Sequence, residues 1–197
     1  MSKTDSQAVF LNVPFDTSYE RLLVAQISVL VALGRIPHCV LEIPEEGQGR
    51  LNRILKLLQQ CPVSIHDLSR VGTPARFNMP FELGIAFALS RINTRHSFIV
   101  LEKKRHRLTK TLSDLNGIDP GIHNGSPKGV IACLLSTLGR PAGMPPLNEV
   151  DFIYRRLWKA VPELRRTHNR KNIFSRMIFL DLVRAATLLA RSKELIN

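Results

Sequence analysis

A chain of 197 residues, 44% hydrophobic and 22% charged, has the composition of a globular protein of one domain, or one domain with an appendage. Its longest apolar stretch, Leu22 to Gly34, is broken by Gln26 and Ser28 and is too short for a membrane span of about 20 residues; no signal peptide is read at the amino end. The formal charge of +12 points to anionic partners.

Short β-like runs alternate with helix-like segments. AVFLNV (Ala8 to Val13) reads as a first strand. It is followed by PFDTSYE, in which Thr17 and Glu20 are spaced as a capping box for a helix running to Gly34. HCVLEI (His38 to Ile43) reads as a second strand, and LNRILKLLQQ (Leu51 to Gln60) has apolar residues at helical spacing. CPVSIHDLS (Cys61 to Ser69) is a third strand, and a helix is expected from Pro80 in PFELGIAFALSRI. HSFIVLEKK is a fourth strand, LTKTLSDLNG a short helix stopped by Gly117, and GIDPGIH a weak fifth strand. Ser126 and Pro127 suit the N-cap and first position of a helix through CLLSTLG.

Strands joined by helices imply a parallel sheet covered on both faces. The fold class expected is α/β, a flavodoxin-like (Rossmann-like) five-stranded parallel sheet of order 2-1-3-4-5. Residues 1–139 form this domain, residues 140–149, rich in Pro and Gly, read as a linker, and residues 150–197 form a basic helical extension. Residues 139–197 hold 12 Lys+Arg against 5 Asp+Glu, a net +7. Cys39, Cys61 and Cys133 are odd in number, widely spaced and without a CxxC. They read as reduced thiols of a cytoplasmic protein, with no metal site.

In this topology ligands bind at the carboxyl ends of the strands, at the switch point between strands 1 and 3. Three segments fall there: NVPFDTS, HDLSR and RFNMPFELG. They supply Asn12, Phe15, Asp16, His66, Asp67, Ser69, Arg70, Arg76, Asn78 and Glu82. Neither GxGxxG nor GxxxxGK[ST] is present, which argues against a dinucleotide fingerprint or a P-loop. Arg70, Arg76 and helix N-terminal N–H groups are left to hold any phosphate. Each residue also has a structural reading. Glu82 in a first helical turn would gain about 0.3–1 kcal/mol from the helix dipole, which would also lower its pKa. Asp16 and Thr17 cap a helix, Asn78 caps the third helix, His66 is a satisfied buried histidine, and Asp67 hydrogen-bonds the following turn.

FLNVPFD, SIHDLSR and RFNMPFELG together resemble a widespread bacterial family carrying FxNxPFD, GIHDISR and RFNMPxELG, over nearly the whole chain. At superfamily level an Asp ending strand 3 and a Glu in an ELGxAxAL helix look like nucleoside 2-deoxyribosyltransferases and, more distantly, TIR domains. The resemblance implies that Glu82 is the nucleophile or stabiliser at the sugar C1′, and Asp67 the acid that handles the leaving base. It further implies NAD or a nucleotide as substrate and a stress or phage-defence role. Asn12, Phe15, Asp16, Ser69, Arg70, Arg76 and Asn78, placed at the strand ends by the expected topology, are the candidate binding residues, and no separate cofactor is expected. The loop VGTPARFNM departs from the DPGT-like approach of many deoxyribosyltransferases.

Three functions stay open: an N-glycosidase or glycosyltransferase (a hydrolase when water is the acceptor), a nucleotide-sensing module without turnover, and a nucleic-acid-associated protein. Aromatic residues at 6% make base-stacking platforms scarce for the third. The C-terminal helices are alternatively a homodimer interface; no membrane partner is expected.

Overall fold

In the computed structural model, residues 5–44, 47, 49–70, 77–106, 110, 112 and 117–196 are described. Five parallel strands form one sheet in the order β2-β1-β3-β4-β5. They are β1 Ala8–Asn12, β2 Ile36–Cys39, β3 Val63–Asp67, β4 Ser97–Glu102 and β5 Gly121–Ile122. The expected flavodoxin-like architecture is the one observed. Strands 2 to 5 are shorter than their apolar runs suggested; after Cys39 the chain turns into a 3-10 segment, Val40–Glu42. The helix expected over LTKTLSDLNG lies largely outside the described residues.

The helices are α1 Glu20–Ala32, α2 Arg50–Gln60, α3 Asn78–Ile92, α4 Pro127–Leu138, α5 Leu147–Thr167 and α6 Arg176–Ser192. Period-two alternation assigns them to the two faces. Phe10, Asn12, Ser64 and His66 share one face, because Phe10 meets the His66 ring edge-on and the Asn12 and His66 side chains bond to each other. Val100 and Phe98 lie in the same rows and pack on Met79 and Leu83 of α3. Asp67 therefore points to the other face, towards Tyr19 at the head of α1.

α1 is buried on every side from Leu22 to Ala32, which explains its nearly unbroken apolar sequence. Each fully buried aliphatic side chain there contributes roughly 1.5–3 kcal/mol. The two interruptions bond locally: Ser28 Oγ donates to the Val24 carbonyl at 2.7 Å, and Gln26 Nε2 donates to Tyr19 Oη at 2.6 Å, while Gln26 Oε1 has no hydrogen-bond partner among the described residues. The outer side of α1 is covered by α5 and α6, which bury Ile153, Leu157, Val161, Phe179, Leu182 and Ala186 in the same core.

The expected capping box at Thr17 and Glu20 does not form. Asp16 caps the short 3-10 turn Thr17–Tyr19, accepting from Ser18 N at 3.1 Å. Glu20 is buried and turned away, with Oε2 accepting from Arg165 of α5 and Oε1 from the Ile173 N–H at 3.1 Å. Charged and backbone donors from the C-terminal region outbid a cap that water could supply. Ser126 and Pro127 do cap and open α4, as their order in the sequence indicated.

Candidate functional site: two carboxylate clusters at the strand ends

The carboxyl ends of β1 and β3 lie side by side at the point where strand order reverses. Around them the candidate residues separate into distinct groups.

On the α2/α3 face, Glu82 projects from the second turn of α3 and is 4% exposed. Arg50 Nη2 stands 3.5 Å from Glu82 Oε1, and the Asn12 amide also donates to this carboxylate. Glu82 Oε2 has no hydrogen-bond partner among the described residues. The expected helix-dipole lowering of its pKa is corrected here. The helix begins at Asn78, so Glu82 lies beyond the terminal N–H groups where the dipole acts. Burial raises its pKa, opposed by the Arg50 charge and the Asn12 hydrogen bond.

Asn12 is oriented by a polar chain buried beneath this face. Its Nδ2 lies 3.1 Å from His66 Nδ1, His66 Nε2 lies 2.9 Å from Ser64 Oγ, and Ser64 Oγ lies 3.1 Å from His96 Nε2. His96 Nδ1 ends the chain 2.9 Å from the Cys61 carbonyl. A carbonyl only accepts, so His96 carries its proton on Nδ1 and accepts from Ser64. Ser64 then accepts from His66 Nε2–H, and His66 Nδ1 accepts from Asn12. Every member is satisfied with both rings neutral. Burial, reinforced by His96, pulls the His66 pKa down to about 3, and burial also lowers that of His96.

On the α1/α4 face, the Asp67 carboxylate is fully enclosed. Oδ1 accepts from Ser69 N at 2.8 Å; Oδ2 accepts from Tyr19 Oη and faces His123 Nε2 at 3.2 Å. Gly125 N–H points at His123 Nδ1 at 3.0 Å, so the other ring nitrogen, Nε2, bears the proton shared between Asp67 and Ser69 Oγ at 2.7 Å. Burial would raise the Asp67 pKa, but His123, Ser69 and Tyr19 together hold it below the usual carboxylate value. This is the opposite direction from the one that would suit Asp67 to the expected role of an acid protonating the leaving base. Tyr19 is driven the opposite way, upward, by burial and by the adjacent Asp67 charge.

The remaining candidates lie around these clusters. Phe15 stacks on Phe174 at 5.3 Å, and the Arg50 guanidinium lies 5.2 Å from its ring centre. Arg70 pairs with Asp16, not with Asp67. Asn78 is exposed as the first residue of α3 and does not cap it; Phe77 holds that position without a side-chain bond. Arg76 lies outside the described residues. The structure thus joins Asn12, Phe15 and Glu82 through Arg50, and joins Asp67 to Ser69 through His123, on opposite faces of β3.

Arg50, Tyr19 and His123 were not singled out in the sequence. Arg50 had a signal: a cation at the first position of a helix opposes the dipole and so points to a partner elsewhere. Among the described residues, no three His, Cys, Asp or Glu side chains cluster as a metal site, the three cysteines are free, and no helix is long and apolar enough to cross a membrane. Comparison of the chain with family models, with curated proteins and with solved structures finds no match.

Proposed function

We propose that the protein breaks or transfers at the N-glycosidic bond of NAD or a nucleotide, with Glu82 at the reacting carbon. One observation carries the reading: Glu82 is a buried carboxylate whose Oε1 is held by Arg50 and Asn12 while Oε2 lacks a partner among the described residues. A carboxylate in that state gains more than a solvated one from positive charge developing beside it. As the C1′–N bond breaks, its electron pair leaves with the base, and the sugar becomes oxocarbenium-like. Glu82 Oε2 stabilises that cation or bonds to C1′, and water or an acceptor hydroxyl then attacks the same carbon.

Asp67 is a positioning residue in this mechanism. Enclosed and held ionised by its donors, it fixes the end of β3. Nicotinamide leaves NAD as a neutral base and needs no proton, while a nucleotide base takes one from solvent, balanced by the proton released when water or the acceptor hydroxyl adds to C1′. The protein acts in the cytoplasm, and the motif resemblance adds a stress or phage-defence setting.

The test is incubation of the purified chain with NAD and a panel of nucleotides, with chromatography of the released base. Wild type releases base, while Glu82→Gln, which keeps the shape and removes the charge, loses at least about a hundredfold. Absence of release from every substrate overturns the reading. Thermal stabilisation by a nucleotide that is never cleaved supports the sensing module instead.

A further inference from the structure

A second feature lies on the opposite face from Glu82, where α5 passes the heads of α1 and α4. Arg21, Lys128, Tyr154, Arg155, Trp158 and Lys159 line a groove of about 660 Å³, within the ordinary range of small-ligand sites. Its lining carries four cations against one carboxylate, Asp151, which is paired with Arg155 at 2.6 Å. Arg21, Lys128 and Lys159 have no carboxylate partner among the described residues. The aromatic wall is set in place by Arg21, whose Nε donates to Tyr154 Oη at 3.3 Å and whose guanidinium lies 5.7 Å from the Trp158 ring centre. At the lip of the groove, Pro127 has no N–H and Ser126 Oγ takes that of Gly129. The Lys128 N–H, in the first turn of α4, has no partner among the described residues.

We propose that this groove is a binding site for a mononucleotide, with phosphates toward Lys128 and Lys159 and the base against Trp158 and Arg21. Unpaired cations and a free helix N–H recognise phosphate, and the indole and guanidinium planes recognise an aromatic base. A single indole in a groove of this size fits one base, whereas a nucleic-acid track needs successive platforms. The site shares none of its lining residues with the Glu82 cluster and does not depend on the function proposed there.

Trp158 is the one tryptophan in the chain, so its emission reports this groove alone. The full chain is titrated with ATP, AMP, inorganic pyrophosphate, adenosine and an oligothymidylate. ATP or AMP is expected to shift the emission, pyrophosphate to compete, and adenosine to bind at least about tenfold more weakly than AMP. The double variant Lys128→Gln/Lys159→Gln alters two exposed side chains; it is expected to keep the wild-type Tm and lose about tenfold in nucleotide affinity. Glu82→Gln is expected to bind as wild type does. No emission change with any mononucleotide overturns the proposal, as does undiminished affinity in the double variant. Binding of the oligothymidylate far tighter than any mononucleotide, with a steep salt dependence, overturns it in favour of a nucleic-acid surface.

Discussion

Arg50 Nη2 lies 3.5 Å from Glu82 Oε1, a pairing of the first residue of α2 with a carboxylate in the second turn of α3. Arg50 lowers the Glu82 pKa against the larger upward effect of burial. Arg50→Gln removes the lowering influence and leaves the burial, so Glu82 should titrate at higher pH than in wild type. Carbon-13 NMR of glutamate side chains across a pH series measures this directly. An unchanged midpoint would show that the pair is broken in solution.

The raised pKa of Glu82 has a stability consequence of fixed sign. The folded chain holds this proton more tightly than the unfolded chain, so folding stability falls as pH rises through the interval above 4.5, the ordinary value. Glu82→Gln mimics the neutral form and should stabilise the protein near pH 7 relative to wild type. Urea denaturation of both chains decides it; a less stable variant would mean that the buried charge is better accommodated than its surroundings indicate.

His66 predicts the opposite slope. Its folded pKa is about 3 against 6.5 when free, so below 6.5 the unfolded chain binds the extra proton and stability falls with acidification. At pH 5 the loss from this residue is about 2 kcal/mol. His96 adds in the same direction. Asp67, held low, adds to the loss only below about 3.8, its ordinary value. Melting curves from pH 7 to pH 4 should show a steep decline in wild type and a shallower one in His66→Gln. Parallel declines would rule out His66 as the source.

Glu20 ties α1 to the C-terminal helices through Arg165 and the Ile173 N–H. Glu20→Ala leaves both donors uncompensated and should cost ~3 kcal/mol. Hydrogen exchange should accelerate in α5 and α6 before β1 and β3 are affected. Uniform acceleration would show that the helices do not detach as a unit.

Gly129 lies against the His123 carbonyl so closely that an added Cβ would collide with the carbonyl oxygen. Gly129→Ala should push the β5 end away from Asp67 and cost about 1–3 kcal/mol. Loss of the hydrogen-bonded His123 proton signal in NMR would accompany the stability change; a retained signal would show that α4 moves instead.

Much of the fold was legible in the sequence, because apolar runs and helical periods report burial. The Ser126–Pro127 start of α4 was legible for a local reason: one side chain and one ring act within a single turn. The misreadings concern groups whose partners are remote in sequence. Thr17 and Glu20 had the spacing of a capping box, yet Glu20 binds a residue 145 positions away. Glu82 matched a helix start until α3 was seen to begin at Asn78. The separation of Asp67 from Glu82 was present in the sequence in part. A period of two sends His66 and Asp67 to opposite faces, so whichever helix covers His66 cannot cover Asp67. What the sequence lacked was the assignment of α3 to the His66 side, which rests on Met79 and Leu83 meeting Val100.

The enclosure of α1 has a consequence for biosynthesis. This helix is translated early, yet its outer surface is covered by α5 and α6, the last helices of the chain to be made. Roughly 160 residues separate Ala32 from Ala190, an interval of about 8 to 30 seconds at ordinary elongation rates. Throughout that interval a nearly all-aliphatic helix lacks its final cover. Ribosome-bound chains halted before α5 should therefore recruit holding chaperones, and chains that have released α6 should let them go.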